Sequence, residues 1–443
     1  MSAAESLLAP FEGGHRVALM RGGDELFPAM VRAIESAQLE VWLATYIFND
    51  DPSGRRVVQA MRQAAARGVQ VRVVVDGFGS NGRIAALRQQ LQGSEVVLEV
   101  FRSLERWWAW SHPSQLRRMH HKLCAVDGRL AYVGGINVVD DHFDIQHGWT
   151  AEPRLDFAVE VQGPVAEEVQ RLVHALWTRA HLGRGWREEV ALLAQSPEPV
   201  QRAVQLVREM RARAPQMPHL LGERRTRLRD WWRGESRQGP PTPPGFDRVA
   251  GEPVRVALVV RDNVIHRRAI ERAYVEAIGQ ARERIDIACS YFYLGRAFRR
   301  ALLRAAARGV RIRLLMQGKV DYRLAALAAR VLYDEMLSRG VRVYEYTPAF
   351  LHAKVAVVDG QWATVGSSNI DPLSLLLNLE ANVVVLDDHF AAHLGERLEQ
   401  AFAVSQEITA PPVRRGLRGW LMRGFVAWVA NVYLRAAGIT GRY

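Results

Sequence analysis

The 443-residue sequence predicts an α/β protein in which one folding unit is written twice. Two pairs of segments show it. AAARGVQVRVVV from Ala64 returns as AAARGVRIRLLM from Ala305. MHHKLCAVDGRLAYVGGIN from Met119 returns as LHAKVAVVDGQWATVGSSN from Leu351. The matched blocks keep one order in both halves, which is the signature of an internal repeat. Apolar runs of strand length alternate with helical patterns, so each half should hold a mixed, largely parallel sheet with helices packed on it.

The elements follow in chain order. FPAMVRAIESAQ (27–38) and RAIERAYVEAIGQAR (268–282) carry apolar residues at helical spacing. Each precedes an apolar strand, LEVWLATYIF (39–48) in one half and RIDIACSYFY (284–293) in the other. Matched end to end, these strands set Leu39 against Arg284 and Tyr46 against Tyr291. The Ala-rich repeat then supplies a helix end and a second strand. The two halves are separated by an Arg- and Pro-rich stretch, RARAPQMPHLLGERRTRLRDWWRGESRQGPPTPPGF (211–246), which reads as a linker. The expected organisation is a first domain over 1–195, a basic linker over 196–250, a second domain over 251–405 and a basic amphipathic segment over 406–443.

Composition narrows the class. Hydrophobic residues make up 49% and charged residues 24%, which fits a globular chain with full cores. The formal net charge of +12 favours a polyanionic partner, either nucleic acid or an anionic membrane surface. The two cysteines, Cys124 and Cys289, lie in apolar strand runs and read as buried thiols. The N-terminal MSAAESLLAPFEGG lacks a basic, then apolar, signal pattern. No run reaches the ~20 apolar residues of a membrane span.

The chemistry lies in the second repeated block. His120, Lys122 and Asp127 are followed by Gly134, Gly135 and Asn137. His352, Lys354 and Asp359 are followed by Gly366, Ser367 and Asn369. On a strand, residues two apart face the same side, so each His and Lys should enter a pocket together. A phosphodiester carries one negative charge, and more develops at a five-coordinate transition state. Two lysines can neutralise it without a metal. One histidine can attack phosphorus while the other protonates the leaving alkoxide. Small residues at Gly135 and Ser367 let backbone approach a ligand, and the Asn137 and Asn369 amides can donate to phosphate oxygens. Asp156 and Glu380 occupy corresponding places after the motifs and are assigned as the carboxylates that fix the imidazole tautomers, one completing each half. Asp127 and Asp359 precede glycine and are expected to hold a turn, by a salt bridge, rather than to move protons. His112, His120, His121, His142 and His147 match no metal-ligand spacing, so neither metal nor cofactor is expected. His121 alternates with His120 and should face away.

RMHHK (118–122), VGGIN (133–137), RDNVIHRRAIERAY (261–274), LHAKVAVVD (351–359) and WATVGSSNIDPLSLLLNLEAN (362–382) resemble the phospholipase D superfamily, and within it the bacterial cardiolipin synthases of the non-spanning type. The resemblance runs from about residue 12 to 405. It implies two phospholipase-D-type α/β/α sandwich domains related by a pseudo-twofold axis, with one active site at their interface. It further implies a ping-pong reaction through a phosphohistidine: one phosphatidylglycerol is transferred to another, giving cardiolipin and glycerol. By the same resemblance His120 is the nucleophile and His352 the acid, then the base. The residues themselves do not order the two histidines, and phosphatidylethanolamine stays open as a donor. Serine in one half and glycine in the other would mean that only one half offers a hydroxyl to phosphate.

The superfamily also contains nucleases and phospholipases, so the surroundings must choose the substrate. PVRRGLRGWLMRGFVAWVANVYLRAAGITGRY at the C-terminus alternates arginine with aromatic and aliphatic residues and suits an interfacial helix. Trp107, Trp108 and Trp110, just before the first motif, suit a headgroup boundary, with Arg117 and Arg118 placed to meet lipid phosphates. Trp231 and Trp232 repeat the theme in the linker. The expected partners are phospholipids and an anionic bilayer rather than nucleic acid. The expected location is peripheral, on the cytoplasmic face of a bacterial inner membrane. The alternative, another phosphodiesterase of the superfamily acting as phospholipase or nuclease, would use the same four His and Lys residues.

Overall fold

A computed structural model describes residues 12–103, 117–145, 147–194, 254–262, 266–290, 295–319, 335–371 and 378–409, with single positions 292, 333, 374 and 375. The tryptophans at 107, 108 and 110, the linker and the C-terminal segment beyond 409 lie outside the described residues.

The first half runs β1 (Glu12–Arg21), α1 (Gly22–Ser36), β2 (Glu40–Thr45), α2 (Pro52–Ala66), β3 (Gln70–Asp76), α3 (Ile84–Leu91), β4 (Val97–Phe101), β5 (Lys122–Val126), β6 (Leu130–Gly134), β7 (Phe143–Asp144), β8 (Gly148–Trp149), β9 (Phe157–Gln162) and α4 (Pro164–Ala194). The second runs β10 (Val254–Arg261), α5 (Ala269–Gln280), β11 (Arg284–Cys289), α6 (Arg296–Ala307), β12 (Arg311–Gln317), β13 (Arg342–Tyr346), β14 (Lys354–Val358), β15 (Trp362–Gly366), β16 (Glu380–Leu386), α7 (Asp388–Ala403) and β17 (Gln406–Ile408). The unit expected to end at 405 therefore carries three further residues in a strand, and β17 pairs antiparallel with β13.

Local chemistry explains several boundaries. Asp51 caps α2 by accepting from the Gly54 amide, and Pro52 supplies the fixed φ of a first turn. Asp387 caps α7 in the same way through the Phe390 amide. Helix α1 buries Leu26, Phe27, Met30, Ala33 and Ile34, the i, i+3, i+4 face of an amphipathic helix.

The strands join in the order β17-β13-β12-β11-β14-β15-β16-β10-β1-β9-β6-β5-β2-β3-β4. The two halves meet where β1 pairs antiparallel with β10. The sheet is mixed, but the expectation that it is largely parallel is corrected: among the described residues only β2-β3-β4 and β11-β12-β13 run parallel. The reason is the motif blocks. Each folds as a tight hairpin, β5–β6 and β14–β15, and a strand joined by a short turn can only return antiparallel.

The core has three layers. One cluster packs α1 and α2 on the first half, and another packs α5 and α6 on the second. A central cluster draws on both halves, with Leu123, Val133 and Val159 in contact range of a shared core that includes Val355, Val365 and Val383, flanked by α4 and α7. Cys124 and Cys289 are buried and, among the described residues, not joined in a disulfide. Among the described residues no helix is long and apolar enough to cross a membrane.

Pairing also corrects the register of the repeat. Thr45 stands opposite Lys122 and Cys289 opposite Lys354, so Thr45 answers Cys289 and Tyr46 answers Ser290. The residue-by-residue match of the two sequences was one position out. Both strands are buried along nearly their whole length, so no polar–apolar alternation marks the true register.

Asp127 and Asp359 sit in the hairpin turns with φ of 52° and 50°. Among the described residues they form no salt bridge there. The Asp127 carboxylate accepts from the backbone amides of Gln38, Leu39 and Glu40, each at 2.9 Å. Asp359 accepts likewise from Arg282, Glu283 and Arg284. Each turn is thereby tied to the start of the neighbouring strand, at the opposite end of β5 or β14 from the motif histidine. Asp359→Ala should destabilise by about 2 kcal/mol, since three amides lose a charged acceptor and a left-handed residue loses its polar side chain. Asp359→Asn should cost about half as much. Urea unfolding midpoints check the order.

Candidate active site

The site is made by a crosswise pairing of segments. Residues 118–120, just before β5, lie along Leu379: the His120 amide donates to Leu379 O and the Leu379 amide to Arg118 O. Residues 350–352, just before β14, lie along Leu155: the Leu155 amide donates to Phe350 O and the His352 amide to Leu155 O. Each motif histidine is thus stitched beside the other half's carboxylate.

The carboxylates follow. His120 Nδ1 lies 3.0 Å from Glu380 Oε2 and 3.0 Å from Oε1. His352 Nδ1 lies 2.6 Å from Asp156 Oδ2. The expected one carboxylate per half holds in number, but each serves the histidine of the opposite half. Sequence spacing cannot show this, because both carboxylates follow their own motif along the chain. A hydrogen on Nδ1 satisfies each carboxylate and leaves the Nε2 lone pair free for chemistry.

Burial sets the electrostatics. Glu380 and Asp156 are 0% and 1% exposed. Their pKa values nevertheless fall: burial pushes them up, and the lysine charges together with the hydrogen bonds from the facing histidines more than offset it. Burial drives both histidines down, against the raising influence of their carboxylates. Both are therefore neutral in the free site.

The lysines enter the same pocket. Lys122 Nζ donates to His120 O at 2.7 Å, and Lys354 Nζ donates to His352 O. Burial lowers both, and Lys122 falls to about 7. Each also feels the other lysine or the other half's carboxylate, so the two motifs share one electrostatic site.

The supporting residues divide. Asn137 Oδ1 accepts from the Ile47 amide at 3.2 Å, which leaves its amide nitrogen as a donor. Asn369 Oδ1 lies 3.8 Å from Cys289 Sγ. The Ser367 hydroxyl donates to Glu380 Oε2 at 2.6 Å and so braces the carboxylate. Gly135, its counterpart, has no room for a side chain, because a Cβ there would stand 2.3 Å from Asp156 Oδ1. Glutamate is one methylene longer than aspartate, and that extra reach is what separates a serine-tolerant half from a glycine-requiring one.

Sequence reasoning missed Tyr46. Its ring meets the His120 ring edge-on at 4.8 Å, and the Lys122 ammonium lies 5.2 Å from its centroid. Its counterpart in the other half is Ser290, so the correct register is the signal that would have found the asymmetry. His121 is buried, and burial lowers its pKa to about 3, so it is a neutral packing residue. Among the described residues no group of three or more His, Cys, Asp or Glu side chains is arranged to hold a metal ion.

Comparison with known proteins places these features in context. A family model described as "Cardiolipin synthase, PLD-like domain" matches residues 30–177 and 274–402. Each stretch contains one His-Lys motif and one of the two carboxylates. Cardiolipin synthase B of Escherichia coli (strain K12) is 34% identical over 390 residues, covering 88% of this chain and 81% of its own. A cardiolipin synthase A of Pseudomonas fluorescens (strain SBW25) is 28% identical over 410 residues, covering 92% of this chain and 73% of its own. The crystal structure of phosphatidylserine synthase from Haemophilus influenzae Rd KW20 superposes with a TM-score of 0.61 at 11% identity, over 98% of this chain and 97% of that one, and shares the fold.

Gly135→Ser should displace Asp156 from His352. The expected result is a fall of about 2 kcal/mol in stability from overpacking, with a change in the His352 ring resonance by NMR. Ser367→Gly, which removes a brace without a clash, should leave the His352 resonance in place.

Proposed function

This chain belongs to the phospholipase-D-like family of cardiolipin synthases, and from that membership we propose that it joins two phosphatidylglycerol molecules into cardiolipin and glycerol. The observation that carries the reading is the crossed pair of histidine–carboxylate contacts, which gives two tautomer-fixed imidazoles and two buried lysines in one site. A single phosphodiester between them needs that set and nothing more.

In the first half-reaction Nε2 of His120 attacks phosphorus. The N–P bond forms, the P–O bond to the glycerol headgroup breaks, and the departing alkoxide takes a proton from Nε2 of His352. Lys122, Lys354 and the Asn137 and Asn369 amides neutralise the growing charge on the non-bridging oxygens. Burial favours a neutral His352 in the free site; the bound phosphodiester anion offsets this, so the protonated acid forms with substrate present. In the second half-reaction a headgroup hydroxyl of another phosphatidylglycerol gives its proton to His352 and attacks phosphorus. The N–P bond breaks and cardiolipin leaves. Asp156 and Glu380 act by holding ring orientation.

The substrate places the enzyme at a bilayer. The net charge of +12 favours an anionic one. Trp149, 62% exposed, and Ile145, 40% exposed, lie on and between the short strands β7 and β8. His147 of the same hairpin packs its ring 5.1 Å from Phe350, two residues from His352. This hairpin can press apolar side chains into the headgroup layer beside the pocket. The expected setting is peripheral association with the cytoplasmic face of a bacterial inner membrane.

Thin-layer chromatography of labelled phosphatidylglycerol incubated with the protein should show cardiolipin and glycerol. Phosphatidic acid alone would make it a hydrolase, and nicked DNA without lipid turnover would sink the lipid reading. His120→Ala and His352→Ala should each lower turnover by ~10³-fold or more, because both act at one phosphorus. The pH profile has a defined sign. Lys122 is charged below and neutral above its pKa of about 7, so kcat/KM should fall as pH rises through that value. Glu380 raises the Lys122 pKa, so Glu380→Gln should move the same limb to lower pH.

A further inference from the structure

We propose that Arg102, Arg117, Arg118 and Arg179 form a second lipid-phosphate subsite beside the reacting one, on the His120 side only, for the phosphodiester monoanion of a second phospholipid. The proposal deepens the function argued above and rests on it for the identity of the lipid.

The cluster is built by a clasp. Arg102 Nη1 donates to Arg117 O at 2.8 Å, and Arg118 Nη1 donates to Arg102 O at 3.0 Å. Arg102 holds a left-handed backbone, φ 52°, which a bulky residue rarely adopts. Arg102 and Arg179 both lie over the Phe101 ring, at 5.4 and 5.8 Å, while Arg118 lies 5.3 Å from the Phe78 centroid. Guanidinium groups brought together repel one another. Burial, and then Arg179, Arg118 and Arg117, lower the Arg102 pKa to about 10.

The nearby carboxylate cannot balance them. Asp76 is fully buried, with one oxygen 3.9 Å from Arg118 Nη1. Its oxygens already accept from the Met119, Phe78 and Gly79 amides. Among the described residues the 3.9 Å contact of Arg118 with Asp76 is the one ion pair of the four guanidiniums, which leaves a surplus that a bound phosphate would neutralise. Arg179 is exposed and Arg117 half-buried, so the cluster opens to solvent. Phe78, 38% exposed, offers an apolar contact at its rim.

The repeat supplies an internal control. Gln317 replaces Asp76 in the second half, and its Oε1 accepts from the Leu351 amide at 2.8 Å as Asp76 accepts from Met119. By the pairing of β3 with β4 and of β12 with β13, Thr347 answers Arg102; by the register that sets Lys354 against Lys122, Ala349 answers Arg117 and Phe350 answers Arg118. Lys319, over the Phe350 ring at 5.6 Å, is a cation on that side, and it donates to Pro348 O. The fold therefore does not require the arginines. Both halves carry the reaction's His and Lys, but the His352 side has Lys319 and Arg154, the latter donating to Phe143 O at 2.7 Å and lying 3.9 Å from Asp144, in place of a clasped group of four guanidiniums. A transfer that consumes two phospholipids has one phosphate at the histidines and a second to place.

Arg117→Gln and Arg179→Gln test this, since among the described residues neither side chain holds the clasp together. Two readouts are taken in vesicles of phosphatidylglycerol in phosphatidylcholine: cardiolipin formation, and transfer of the phosphatidyl group to 1-butanol, which has no phosphate. Sedimentation of the inactive His120→Ala protein with the same vesicles measures binding. A roughly tenfold fall in cardiolipin formation with butanol transfer kept identifies the acceptor lipid as the ligand. A fall in both activities, together with weaker vesicle binding, identifies an unreacted bilayer lipid. Unchanged cardiolipin formation and unchanged binding overturn the subsite, as does a fall in both activities with binding intact. If wild type makes only phosphatidic acid, the synthase reading fails instead, while the sedimentation arm still reports on the subsite.

Discussion

Everything in the pocket depends on two histidine–carboxylate contacts that cross between the halves of the chain. Glu380 holds His120 and Asp156 holds His352. Neither half can build a working imidazole alone, because its own carboxylate faces the other half. The short backbone ladders at Met119–Leu379 and Leu155–Leu351 set this geometry. The core shared by the two halves keeps those ladders in register. A histidine fixed at Nδ1 by a buried carboxylate has one tautomer and one direction, which is what a nucleophile or proton donor needs before substrate arrives.

The same burial gives the lysines their strength. Two unit charges 4 Å apart interact by ~1 kcal/mol in water but by ~4 kcal/mol at the effective dielectric of a protein site. Burial lowers the pKa of Lys122 and Lys354, so an incoming phosphodiester meets cations that gain by pairing with it. The two carboxylates stay ionised because they face that same positive field. Charge balance, geometry and desolvation are therefore one arrangement. The motif aspartates lie outside it: they hold the far turns of β5 and β14 through backbone amides and so fix where the strands begin.

The repeat is symmetric where chemistry is shared and asymmetric where the environment differs. Asp156 with Gly135 answers Glu380 with Ser367, and the pairing is steric, since a side chain at Gly135 would overlap the shorter carboxylate. Tyr46 covers His120 and Lys122, where the other half has only Ser290. Arg102, Arg117 and Arg118 beside His120 have neutral counterparts, Thr347, Ala349 and Phe350, beside His352. These differences make the two histidines unequal in surroundings while leaving them equal in connection.

The sequence by itself determined the repeat, the α/β class, the His and Lys pairs and the two carboxylates, because each is carried by residue identity at fixed spacing. It also pointed the motif aspartates towards turns. Three things were decided only by tertiary structure. The strands run mostly antiparallel, since hairpin return is a matter of turn length, not composition. The register of β2 against β11 is shifted by one, since strands buried on both faces carry no alternation to count. And each carboxylate serves the opposite half, because contacts across 196 and 260 residues arise from how the two halves pack and leave no trace in local spacing.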